Sequence, residues 1–225
     1  MIKNPKTPKD VLNSVEAVVF DIDGTLLNSM DVWLQVDYDF LVAKGFDVPS
    51  NYGYEISIRS AQEGAVYTKE LFNLKETPKE IIDTWKSMAK DAYENVEMKP
   101  FAKEFLLNLK QNGKKLAVAT ALTHELLTNA LKKHEIYEIF DEICSTDEVG
   151  KGKTSPDVYN LAFKKLNVSP NNSAVFEDVL VAVKSAKQTG AYVFAIKDNF
   201  SLPYAKEIKK YADFYIENYS DLLCK

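Results

Sequence analysis

The chain has 225 residues, 46% of them hydrophobic and 27% charged, with a formal net charge of −5; it can bury one generous core, or one core and a small accessory domain. The acidic balance and the lack of any basic block argue against a nucleic-acid partner, and no apolar run is long enough to span a bilayer. Cys144 and Cys224 are too few and too far apart for a disulfide framework or a zinc site, and no apolar run after Lys3, Lys6 and Lys9 makes a signal peptide, so a cytoplasmic protein with reduced thiols is expected.

The first informative stretch is Val18-Val19-Phe20-Asp21-Ile22-Asp23-Gly24-Thr25. Its apolar start reads as a buried strand, and its polar residues fall where that strand leaves the sheet. Two carboxylates so close repel each other unless a cation or a shared proton separates them. The segment therefore asks for a metal ion and offers a nucleophile. A calcium loop of the EF-hand type is excluded, because its sixth position would be Leu26 rather than glycine and its twelfth Val32 rather than glutamate.

From Ser29 to Lys99 the pattern is helical throughout. Trp33, Val36, Phe40 and Leu41 form one apolar stripe that Gly45 is placed to end. Ile56 to Leu71 is a less regular helix. Thr77-Pro78-Lys79-Glu80 combines a capping box with proline at the first helical position, and Ile81, Ile82, Trp85, Met88 and Ala89 supply the buried face that follows. The aromatic residues of this block, Trp33, Tyr38, Phe40, Tyr52, Tyr54 and Trp85, read as its core.

After Pro100 the pattern alternates. A helix from Phe101 to Leu109, stopped by Asn112-Gly113, precedes a strand from Lys115 to Thr120; Thr123 caps a helix through Lys133, and Phe140 to Ile143 is a short strand. Ser155-Pro156 opens a helix through Leu166, followed by a strand from Ser173 to Phe176, a helix from Val179 to Thr189 stopped by Gly190, and a strand from Tyr192 to Ile196. A weaker helix and a strand from Phe214 to Ile216 close the chain. Alternating strands and helices imply right-handed crossovers and a parallel sheet, so the helical block is an insertion after the first strand.

In such sheets ligands gather at the carboxyl ends of the strands. Those ends carry Asp21 and Asp23, Thr120, a loop with Lys151 and Lys153, and Glu177-Asp178. Acids for a cation, a hydroxyl and a lysine are the parts needed to hold a phosphate beside a hard metal ion. Gly152-Lys153-Thr154 is not the end of a P-loop, whose first glycine would fall at Asp147. A helix N-terminus after Ser155-Pro156 favours an anion near Lys153, although spacing alone does not choose it over Lys151. His124 reads as a surface residue in a helix's first turn, and His134 as a partner for that helix's terminal carbonyls.

Together these residues resemble the haloacid dehalogenase-like superfamily, in the branch with a helical cap inserted after the first motif, and are most similar to its β-phosphoglucomutase and small sugar-phosphatase group. The counterparts are Asp21-Ile-Asp23-Gly24-Thr25, Thr120, Lys153 within Lys-Thr-Ser-Pro-Asp, and Glu177-Asp178. The resemblance selects Lys153, since the family's lysine directly precedes Pro-x-Pro-Asp; Thr154 stands in place of the first proline. Val179 and Ala182 replace a serine and a glycine common after Glu-Asp, and Ala121-Leu122 replace a Ser-Asn pair, which removes polar contacts to the substrate.

The resemblance implies an α/β fold: a Rossmann-like parallel sheet with helices on both faces, formed by residues 1–29 and 98–225, and an all-helical cap at 30–97. It implies a Mg²⁺-dependent phosphatase acting on a small, sugar-phosphate-like metabolite. Asp21 would be nucleophile and ligand, and Asp23 proton carrier. Thr120 and Lys153 would hold the phosphoryl oxygens. Asp21, the main-chain carbonyl of Asp23, and Asp178 would hold the metal, with Glu177 reaching it through water; Gly24, Thr25 and Ala121 would support the site. The second acid, Asp23, separates the chain from dehalogenases, which lack it. Phosphomutases of the family carry a histidine twelve residues after the nucleophile, where this chain has Trp33. The alternatives are a phosphomutase and a non-catalytic binding protein on the same fold. The expected state is a monomer or weak homodimer, with Arg59 and Lys69 as candidate substrate contacts.

Overall fold

The structure, a computed structural model, describes residues 7–93 and 95–223; Lys3, Lys6 and Cys224 lie outside the described residues. Helix α1 (Pro8–Ser14) leads into β1 (Ala17–Phe20). Four helices follow before the sheet resumes: α2 (Met30–Ala43), α3 (Tyr52–Ser57), α4 (Ala61–Phe72) and α5 (Pro78–Tyr93). The chain then runs through α6 (Ala102–Gln111), β2 (Lys115–Thr120), α7 (His124–Lys133), β3 (Glu142–Ser145), α8 (Thr146–Val149) and α9 (Asp157–Leu166). It closes with β4 (Ser173–Glu177), α10 (Leu180–Lys187), β5 (Tyr192–Ile196), α11 (Ala205–Tyr211) and β6 (Phe214–Ile216).

The six strands form one parallel sheet in the order β3-β2-β1-β4-β5-β6. Side chains alternate across it. Val18, Phe20, Leu116, Val118 and Phe176 enter one core layer with Phe105 and Leu106 of α6, while Ala17, Val19, Ala117 and Val175 enter the other with Val158 and Phe163 of α9. The first face carries a row of aromatic rings: Phe20, Phe176, Phe194 and Phe214 are partners in the strand register, with neighbouring centroids 4.7–4.8 Å apart. Phe20, Phe176 and Phe194 are wholly buried, each burial worth roughly 1.5–3 kcal/mol. This row lies one residue below Asp21 on β1 and Glu177 on β4.

The inserted helices bury their own core, with Val36, Phe40, Leu41, Tyr52, Ile81 and Trp85 inside. Helix α5 buries Ile81, Trp85, Ala89 and Tyr93, a row spaced by one turn. Thr77 and Glu80 cap its start reciprocally, through Thr77 N to Glu80 Oε2 at 2.7 Å and Glu80 N to Thr77 Oγ1 at 3.3 Å. Gly45, at φ +81°, follows the end of α2 in a conformation that costs glycine little.

Several expectations are corrected by packing. The stretch 56–71 is two helices, because Ser60 is extended and opens α4 with its own capping box to Glu63. Strand β3 lies two residues later than the apolar run suggests: Phe140 packs edge-on to Phe20, and the Asp141 carboxylate takes the N–H of Leu116 at the sheet margin. Helix α10 is shorter than 179–189. Thr123 precedes α7, but its hydroxyl makes no capping bond. His134 bonds the carbonyl of Val96 across the chain rather than the carbonyls of its own helix. Tyr38 is 53% exposed and not core. Helix α1, capped by Thr7, was not foreseen.

Candidate active site

The carboxyl ends of β1, β2 and β4 and the loop before α9 meet at one point. Asp21 continues β1, its N–H donating to the Phe176 carbonyl at 3.0 Å. The chain then turns back tightly: the N–H groups of Leu26 and Leu27 both donate to the Ile22 carbonyl. Gly24 holds φ +73° in that turn, and a Cβ on it would lie 2.3 Å from Asp178 Oδ2. Glycine is required there by conformation and by contact. Thr25 Oγ1 donates to Asp178 Oδ1 at 3.3 Å.

Lys153 is 4% exposed, and its ammonium contacts both Asp21 Oδ1 and Glu177 Oε1, the latter at 2.6 Å. Tyr159, from α9, donates to the same Glu177 oxygen at 2.7 Å. Burial alone would lower the lysine's pKa; the facing carboxylates of Asp21 and Glu177 raise it instead. Burial raises Asp21, against the pull of Lys153. Burial and then Asp21 push Glu177 up to about 7, and burial with Asp21 and Glu177 beside it drives Asp178 well above the carboxylate range.

Three buried acids thus crowd together, two of them paired with one lysine. Asp21, Glu177 and Asp178 each offer a carboxylate oxygen, and these oxygens lie within 4.8 Å of one another. Glu177 Oε2 and Asp178 Oδ2 are buried without a hydrogen-bond partner among the described residues. Such oxygens are costly unless a cation meets them. An all-oxygen donor set suits a hard divalent ion such as Mg²⁺, so the residues present fit that group.

The carboxylate of Asp23 points elsewhere. Its Oδ1 accepts from Tyr93 at 2.7 Å and from the Ser29 hydroxyl. Burial pushes this acid up to about 6, the Ser29 bond opposing and the Asp21 charge adding. An acid titrating there can give and take a proton near neutral pH. Thr120 ends β2 almost fully buried, its Oγ1 accepting the Leu122 N–H at 3.1 Å.

Asp21, Asp23, Thr120, Ala121, Lys153 and Glu177 line one cavity with residues of α2, α4, α5 and the loop after β5. Arg59 lines it too, but its guanidinium bonds to Glu55 and lies over the Tyr67 ring. Lys69 is away from it, holding the carbonyls of Leu74 and Glu76. His124 faces Thr128 on its own helix. Trp33, expected in the helical core, also lines the cavity and stacks obliquely on Tyr93.

Sequence reasoning missed Tyr93, Ser29 and Tyr159. The first two sit 70 and 6 residues from the acid they hold, and Tyr159 is 18 from Glu177. Only Ser29 carried a local signal, as a hydroxyl one turn beyond the first motif.

Comparison with known proteins follows the same lines. The family model of haloacid dehalogenase-like hydrolases matches residues 18–196. Protein CbbY of Rhodobacter capsulatus is 30% identical over 190 residues, spanning 80% of this chain and 84% of that protein. The phosphorylated carbohydrates phosphatase of Thermotoga maritima is 27% identical over 181 residues, 78% of this chain and 82% of that one. The crystal structure of β-phosphoglucomutase from Clostridium difficile shares the fold, with a TM-score of 0.80 over 93% of each chain at 18% identity. On the extent of the family match, this chain belongs to the haloacid dehalogenase-like hydrolases.

Proposed function

We propose that this enzyme is a Mg²⁺-dependent phosphatase that hydrolyses a small phosphorylated metabolite through an aspartyl-phosphate on Asp21. The observation that carries the reading is the convergence of Asp21, Glu177 and Asp178, with two unpartnered carboxylate oxygens, beside the buried ammonium of Lys153. Asp21, Asp178 and the main-chain carbonyl of Asp23 would hold the ion, with Glu177 reaching it through water. When bound, Mg²⁺ supplies charge neutralisation between the nucleophile and the anionic phosphoryl group.

The chain's own groups divide the work. An Asp21 oxygen bonds to phosphorus as the ester P–O bond breaks, and Asp23 gives its proton to the leaving oxygen. Asp23 then takes a proton from water, whose oxygen displaces Asp21 and releases inorganic phosphate. Thr120 and Lys153 hold the equatorial oxygens, where charge is spread in the transition state. Residues 30–97 act as a cap, excluding water and selecting the leaving group over a core of 1–29 and 98–225. Trp33 in place of a histidine supports hydrolysis over phosphate return.

The test is a panel of sugar, nucleotide and small organic phosphates, assayed for phosphate release with titrated Mg²⁺. Metal-dependent release is expected, falling to background in Asp21→Asn while circular dichroism keeps its native form. A folded, active Asp21→Asn enzyme removes the nucleophile assignment. Phosphate retained on an isomerised product identifies a mutase, and no turnover on any ester leaves a binding protein.

A further inference from the structure

Helix α2 carries a charge inside its apolar stripe. Asp37 is 6% exposed, lies among Trp33, Val36, Phe40 and Leu41, and lines the cavity that Asp21 and Asp23 share. Burial raises its carboxyl, and no hydrogen bond or countercharge among the described residues offsets it. Helix α2 starts beside the reacting acids, where Ser29 bonds Asp23, and Trp33 lines the cavity one turn before Asp37. Asp37 therefore stands ~6 Å farther along α2 from the reacting acids.

The wall around it is mostly apolar and aromatic, with Leu34, Ile56, Trp85 and Phe200, beside the hydroxyls of Ser57 and Ser60. Among the described residues, Trp85 Nε1 is buried without a partner. Of the three cations on the cavity wall, Lys153 pairs with Asp21 and Glu177 and Arg59 with Glu55, while the charge of Lys86 acts on Asp83 and Asp147. A polyhydroxylated leaving group would set most of its hydroxyls against surface with few groups to bond them, at a cost for each left unpaired. A cation would meet both the lone carboxylate and the faces of the rings.

We propose that Asp37 receives the protonated amine of the leaving group, so that the substrate class is a phosphomonoester of a short amino alcohol with its ammonium a few carbons from the ester oxygen. This rests on the phosphatase reading and names that site's substrate class.

The experiment compares kcat/KM on 4-aminobutyl phosphate, neutral pentyl phosphate and glucose 6-phosphate for the wild type, Asp37→Asn and Asp37→Leu. The wild type should prefer the amine over the pentyl ester by about tenfold or more. Both variants should bring that ratio to about one, chiefly through KM. Equal rates on the two esters in the wild type, a preference for the sugar ester, or a uniform drop on both esters in Asp37→Asn overturns the proposal. Calorimetry with free 4-amino-1-butanol needs no turnover. Binding to the wild type and not to Asp37→Asn, with every ester uncleaved, sinks the phosphatase reading and keeps this one. No binding to the wild type sinks this one even where esters are cleaved.

Discussion

Glu63 accepts the main-chain N–H of Gly152 at 2.7 Å, joining the first turn of α4 to the loop that delivers Lys153. The same carboxylate oxygen takes the N–H of Ser60, so one side chain caps its own helix and grips the loop before α9. The approach is close: a Cβ on Gly152 would lie 2.6 Å from both Arg59 Cα and the Ile58 carbonyl oxygen.

Gly152→Ala should therefore push the helical block away from the Lys153 loop. The expected result is a fall in kcat/KM of about tenfold, equivalent to ~1.4 kcal/mol, with little change in melting temperature because the two sheet layers and the helical core lie away from this contact. Steady-state kinetics and a thermal melt measure the two quantities side by side. Unchanged kinetics would show that the contact plays no part in the working enzyme.

Gly24→Ala tests the metal reading from the opposite side of the site. The new methyl meets Asp178 Oδ2 in a backbone conformation that also disfavours alanine. Asp178 must move, and the apparent Mg²⁺ affinity should fall at least tenfold, with a loss of about 1–3 kcal/mol in stability. Titration calorimetry with Mg²⁺ reads the first and urea unfolding the second.

Asp37 predicts a pH-dependent stability with a definite sign. Burial pushes its carboxyl up to about 7, whereas an unfolded chain releases that proton near pH 4. Between these values the folded state holds a proton that the unfolded state has lost, so this group's contribution falls as pH rises from 4 to 7 and levels off above. Asp37→Asn should be more stable than the wild type at pH 8, by at most ~4 kcal/mol, with the gap closing towards pH 4. Urea titrations at a series of pH values decide it; a gap independent of pH would mean that the carboxyl is not shifted.

Lys99 and Asp198 form a buried pair at 2.7 Å, each 8% exposed, tying the segment after α5 to the loop after β5. Removing one partner strands a buried charge. Lys99→Ala is expected to cost about 3–5 kcal/mol, and adding Asp198→Leu to Lys99→Met to restore much of the loss. A double-mutant cycle in urea measures the coupling.

What the sequence revealed follows from how each residue is placed. Asp21, Thr120 and Glu177-Asp178 were legible because each ends or directly follows an apolar run, and topology rules bring strand ends together. Lys153 needed the family pattern, since two lysines flank Gly152. Tyr93, Tyr159 and Glu63 act through contacts across 70, 18 and 89 residues, and nothing local in a tyrosine or a glutamate announces such a partner. Asp37 did leave a mark, as the one acid inside the stripe of Trp33, Val36, Phe40 and Leu41. A stripe read only for its apolar members passes over it. The shift of β3 was hidden because Phe140 belongs to the core without belonging to the strand.

The row of phenylalanines under the site acts as a gauge for the chemistry above it. Parallel neighbours repeat at ~4.8 Å, and Asp21 and Glu177 are the next residues on two adjacent, register-locked strands. The spacing between these two acids is thus inherited from main-chain hydrogen bonding. Side-chain length, rather than loop plasticity, is then the dial for what fits between them. Lengthening Asp21 by one methylene would spoil that gap, and slipping either strand by one residue would turn its acid to the far face of the sheet.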